Sequence, residues 1–107
     1  MKKLNTLLIG VLLLMTISGA LNAESAGSIQ VKGSDTMVNL DQGLAEAYMF
    51  KNPKAFIAVT GGGSGTGIAS LLGGTCDIAA SSRKMKDKEI KQAEARGIEP
   101  RECIIAL

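Results

Sequence analysis

FIAVTGGGSGTGIASLL, residues Phe56–Leu72, runs from a strand through a glycine-rich turn into a helix with no spacer between them. Phe56–Thr60 (FIAVT) is β-branched and aromatic enough for a strand. Gly61–Gly67 (GGGSGTG) interrupts it, and Ile68, Leu71 and Leu72 then return at helical spacing. Gly73-Gly74 closes that helix.

The same strand-then-helix order extends in both directions. Upstream, Ile29–Lys32 (IQVK) alternates as a strand, and Gly33-Ser34-Asp35-Thr36 supplies residues of the helix-cap type. Met37, Leu40, Leu44 and Tyr48 follow at spacings of three and four on one helix face, and Asn52-Pro53 ends it. Downstream, Asp77–Ala80 (DIAA) predicts a third strand with Ser81-Ser82-Arg83 as its exit loop. Asp87 is placed to cap a charged helix through Arg96, with Gly97 at its C-terminal cap, and Cys103–Leu107 (CIIAL) predicts a fourth strand. The class is therefore α/β, an open and mainly parallel sheet with flanking helices. The chain stops inside an apolar run with no turn signal, so it is expected to hold the start of a larger fold.

The N-terminus reads as an export signal. Lys2 and Lys3 precede an apolar run, Leu7–Ile17 (LLIGVLLLMTI), and the small residues Ser18, Gly19 and Ala20 follow. That run is shorter than the ~20 residues a permanent span requires. Cleavage after Ala23 or after Ala20 satisfies the small-residue rule, and an uncleaved anchor is the alternative. The expected division is 1–23 as signal peptide and 24–107 as a partial α/β lobe, soluble in the periplasm. No cysteine near the cleavage region could carry a lipid.

Charge then reads differently. Two of the 12 basic residues are Lys2 and Lys3, so the remaining chain balances ten basic against ten acidic residues. A neutral chain with 3% aromatics is a poor nucleic-acid surface, which needs clustered cations and stacking rings. Cys76 and Cys103 each sit in an apolar context. They read as two buried free thiols, or alternatively as a disulfide in an oxidising compartment. With no His and no Cys-x-x-Cys pair, a metal site is not expected.

All the unusual loops fall where strands run out, the edge at which open α/β sheets bind ligands. They are Gly33–Met37 (GSDTM), Gly61–Gly67 and Ser81–Arg83. The first two lead into helices, whose N-termini offer unpaired N–H groups and partial positive charge to an anion. Ser34, Thr36, Ser64 and Ser82 add hydroxyls, Arg83 adds a guanidinium, and Gly65 lets a ligand approach backbone. A nucleotide P-loop is excluded because no Lys follows the glycines, and the dinucleotide fingerprint has the wrong interval. Ser–His hydrolysis is excluded by the absence of His, and no paired carboxylates are evident. No enzymatic activity and no cofactor are expected.

GSDTM after a first strand, GGGSGTGI after a second and GTCDIAASSR through a third resemble the phosphate-binding proteins of ABC importers, over residues 28–107. The resemblance implies a two-lobed, type II-like periplasmic-binding fold that closes on inorganic phosphate and delivers it, as a monomer, to a membrane permease. It assigns ligand roles to the Thr36 hydroxyl and backbone, the Met37 N–H and Ser64. Ser82 departs from one form of the family, which has an aspartate there to accept a hydrogen bond from protonated phosphate. Arg83 is the neighbour that could compensate by contacting the anion or an adjacent loop. The second lobe's contributions are not among these residues. Other readings are a receptor for sulfate, molybdate or tungstate, a non-transport surface protein on the same lobe, and a truncated product.

Overall fold

The computed structural model describes residues 27–106; the expected signal peptide lies outside them. Three strands and three helices alternate: β1 (Ser28–Gly33), α1 (Val38–Lys51), β2 (Phe56–Thr60), α2 (Ser64–Leu72), β3 (Ile78–Ala80) and α3 (Asp87–Ala95). All strand pairings are parallel, in the order β2-β1-β3. The registers put Lys32 beside both Thr60 and Ala79, so the three strands end at one edge.

That order dictates where the helices go. The chain leaves β1 for β2 on one side, then crosses back over β1 to reach β3 on the other. Right-handed crossovers in opposite directions place their helices on opposite faces. Accordingly α1 packs over β2, whereas α2 packs over β1 and β3. The α2 face carries the denser core, where Ile68, Leu72 and Ala93 are buried and Ala79, Met85 and Ile98 pack around them. Gly67 lets α2 lie directly on β1: a Cβ there would run into the Lys32 carbonyl and the Gly33 Cα.

The α1 face is open. Ile29, Val31, Ile57, Leu44 and Tyr48 line a groove of about 910 Å³, and the apolar stripe of α1 is half exposed. Asp41 faces the same groove; its Oδ2 has no partner among the described residues, and burial pushes its carboxyl up.

Four expectations are corrected. Neither Ser34, Asp35 nor Thr36 caps α1: Met37 holds the N-cap position, and no side chain makes a cap hydrogen bond there. A turn closed by the Met37 N–H on the Ser34 carbonyl (3.1 Å) delays the helix. Asp87 is the first helical residue of α3 and not its cap; Lys86 stands at the cap, and Glu89 turns back to accept the Lys86 N–H at 2.8 Å. Residues 103–106 form no strand, because a strand needs a hydrogen-bonded neighbour and this segment pairs with none among the described residues. Of the two cysteines, both free, only Cys76 is buried, and Cys103 is exposed because that unpaired segment lies at the surface. Gly97 does end α3 as expected, with the Ile98 N–H donating to Ala93 and the Gly97 N–H to Glu94, the two bonds of a Schellman close.

Candidate oxyanion site

The loops after the three strands are tied to one another. The Ser34 N–H donates to the Ala80 carbonyl and the Gly63 N–H to the Gly33 carbonyl, each at 2.9 Å. The strand order reverses between β1 and β3, which is where ligand crevices form in such sheets. The bond from Gly63 brings the start of α2 to that same place.

Ser64 opens α2, with Gly63 at the cap position in a left-handed conformation (φ 101°). Its Oγ accepts the Ser82 N–H at 3.1 Å and lies 3.2 Å from the Ser82 Oγ. Two hydroxyls from different loops thus meet at one helix start. The N–H groups of Ser64, Gly65 and Thr66 find no acceptor among the described residues. Three unpaired donors, a positive helix end and two hydroxyls form a neutral pocket of donors suited to an anion.

The other expected residues take different places. Thr36 is exposed on the first loop, and Ser34 is buried at 2% exposure beneath it. The Met37 N–H is used by the turn to Ser34, whereas the N–H groups of Asp35, Thr36, Val38, Asn39 and Leu40 find no acceptor among the described residues. Gly65 faces Arg83, whose Nη2 lies 3.5 Å from where a Cβ of residue 65 would stand. Arg83 itself forks onto Glu89, with Nη1 to Oε2 at 2.9 Å and Nη2 to Oε1 at 2.8 Å, and also donates to the Lys84 carbonyl. Its charge is matched, and the pair clamps the Ser82 loop to α3.

Glu89 also belongs to this constellation, although none of the three loop motifs contains it. The signal available was its spacing, three residues beyond the Lys86 cap, which is the acidic half of a capping box. The hydrogen bond from Arg83, then that from the Lys86 backbone, hold the Glu89 carboxyl at about 2. A carboxylate depressed when folded adds stability above its unfolded pKa, near 4.3. That contribution disappears as pH falls from there toward 2. Glu89→Gln is expected to lower stability by about 1 kcal/mol at neutral pH, with wild type and variant converging near pH 2. Urea melts at pH 7, 3 and 2 check this; a constant difference at all three would exclude the ion pair as its source.

A family model for the PBP superfamily domain matches residues 18–106. The chain belongs to the PBP superfamily. Within it, the chain is similar to the phosphate-binding protein PstS of Bacillus subtilis, 38% identical over 72 residues, covering 67% of this chain and 24% of that protein. Among solved structures it resembles a phosphate-binding protein of a phosphate ABC transporter from Streptococcus pneumoniae (38% identity, TM-score 0.59, 62% of this chain and 26% of that one). It also resembles an ABC-type phosphate transport receptor from Vibrio cholerae (36% identity, TM-score 0.57, 59% and 25%). The chain spans about a quarter of the length of the curated relatives it matches. The three-stranded parallel sheet and its flanking helices are the part of the PBP-superfamily fold that these neighbours share with it.

Proposed function

We propose that this chain supplies one side of a binding cleft for inorganic phosphate, in a receptor that serves an ABC permease. The observation that carries the reading is Ser64, at the start of α2 beside three N–H groups unpaired among the described residues and in contact with both the N–H and the Oγ of Ser82. In this reading the Thr36 hydroxyl, the Ser64 hydroxyl, the Gly65 N–H and Ser82 touch the anion, and the loop carrying Met37 contributes backbone N–H. Ser34 and Arg83 hold their loops in place. The chain binds its ligand without transforming it, acts as a monomer, and works in the periplasm after removal of residues 1–23.

Ser82 favours a second reading, a receptor for a fully deprotonated oxyanion such as sulfate. A hydroxyl can donate as well as accept, so it does not reject an anion that lacks a proton. Titrating the full chain with phosphate and with sulfate, followed by the amide resonances of Ser64–Thr66, separates the two. The expected result is saturable phosphate binding in the millimolar range, weak because the described loops enclose only one side of the anion, and weaker binding of sulfate. Tighter sulfate binding would transfer the assignment to the second reading, and no response to either anion would end both.

A further inference from the structure

We infer that Asp35 is a positioning residue, whose carboxylate fixes the glycine turn that presents the amides of α2. Its consequence for binding rests on the phosphate reading above; its cause rests on the fold alone. Asp35 Oδ1 accepts the Gly62 N–H at 2.9 Å across 27 residues of sequence. Its helix, α1, does not use it as a cap. The partner of this carboxylate is therefore a loop on the neighbouring strand.

The local geometry is built around that bond. Gly62 and Gly63 are successive residues at positive φ, 122° and 101°, where an unrestrained chain has the widest choice of conformations. They are held at two points, one at the end of β1 and one on the loop after it: the Gly63 N–H on the Gly33 carbonyl, and the Gly62 N–H on Asp35. Gly61 leaves room for the second. A Cβ at Gly61 would collide with Asp35 Oδ1 and touch Val38 Cγ2 at 3.4 Å. Bonds to a carboxylate are stronger than bonds to a neutral acceptor. Asp35 is also the only acid within the three loops. A negative charge beside an anion site is unhelpful unless it does something a neutral residue does less well. Restraining Gly62, and through it the direction of the Ser64, Gly65 and Thr66 N–H groups, is such a task.

Amide hydrogen exchange and phosphate titration of the full chain, for wild type, Asp35→Ala and Asp35→Asn, test this. Asp35→Ala is expected to speed exchange at Gly62 about tenfold while leaving Val31 and Ala93 unchanged. Asp35→Asn, which keeps an acceptor oxygen, is expected to restore exchange to within about threefold of wild type. The phosphate midpoint at Ser64–Thr66 should rise about tenfold in Asp35→Ala and recover in Asp35→Asn. Unchanged Gly62 exchange in Asp35→Ala would overturn the inference. So would exchange at Gly62 in Asp35→Asn as fast as in Asp35→Ala, because an acceptor oxygen at residue 35 would then not be what holds the turn. Global loss of protection in Asp35→Ala, including Val31, would also overturn it by making Asp35 a general stability residue. If Gly62 responds as expected but the wild type shows no phosphate shift, the positioning role stands and the phosphate reading fails.

Discussion

Ser64→Asp is expected to abolish the phosphate response of the Gly65 and Thr66 amides, a loss of at least a hundredfold, without lowering the melting temperature. Position 64 is the first residue of α2, and the N–H groups of Ser64, Gly65 and Thr66 have no acceptor among the described residues. A carboxylate there supplies the negative charge that the helix start favours, worth about 0.3–1 kcal/mol of stability. It also occupies the donors an incoming anion would use. Two like charges about 4 Å apart at a protein surface repel by about 4 kcal/mol at an effective dielectric near 20, more than enough for a hundredfold loss. Ser64→Ala removes only the hydroxyl, together with its contacts to Ser82, and should weaken binding about tenfold. Thermal melts and phosphate titrations on the same two variants separate binding from folding. Phosphate shifts that persist in Ser64→Asp would remove the start of α2 from the site.

What could be read from the residues, and what could not, follows the range of the forces involved. The order of strands and helices is carried by local patterns: FIAVT against the spacing of Ile68, Leu71 and Leu72, and Gly97 just past α3. The structure keeps all of these. The gathering of the loops at one sheet edge also follows from the β-then-α order, because parallel strands all end on the same side. The partners of Asp35 and Arg83 are beyond local reading. As a Ser-Asp-Thr run before a helix pattern, Asp35 has the signature of a cap, yet its partner is Gly62, brought close only by the pairing of β1 with β2. Arg83 reads as a guanidinium offered to the anion or an adjacent loop, and its neutralisation by Glu89 requires the turn between β3 and α3 to be formed. The segment Cys103–Ala106 shows the reverse error. Its apolar pattern fits a strand, but a strand exists only with a neighbour, and pattern says nothing of neighbours.

The largest expected effect on stability belongs to Gly67→Ala. In a helix interior this exchange ordinarily stabilises, because glycine costs about 0.8–1.0 kcal/mol relative to alanine. Gly43, inside α1, shows the ordinary case: a Cβ there meets nothing within 4 Å, so Gly43→Ala is expected to gain about 0.5–1 kcal/mol. Gly67 is different because the added carbon falls on backbone. Its neighbours would be the Lys32 carbonyl and the Gly33 Cα of the central strand, which is hydrogen-bonded on both sides to β2 and β3. Neither can move aside without loosening a ladder. Moving α2 instead would lift Ile68 and Leu72 out of the densest part of the core and draw Ser64 away from Ser82. Either route costs about 3 kcal/mol, the upper end for overpacking, which outweighs the propensity gain. For a domain of this size that corresponds to a fall of roughly 10 °C or more in melting temperature, with Gly43→Ala moving the other way. Circular-dichroism melts of the two variants decide it. A Gly67→Ala chain that melts at or above wild type would mean that α2 does not rest on β1, and the placement of Ser64 beside the loops of β1 and β3 would fall with it.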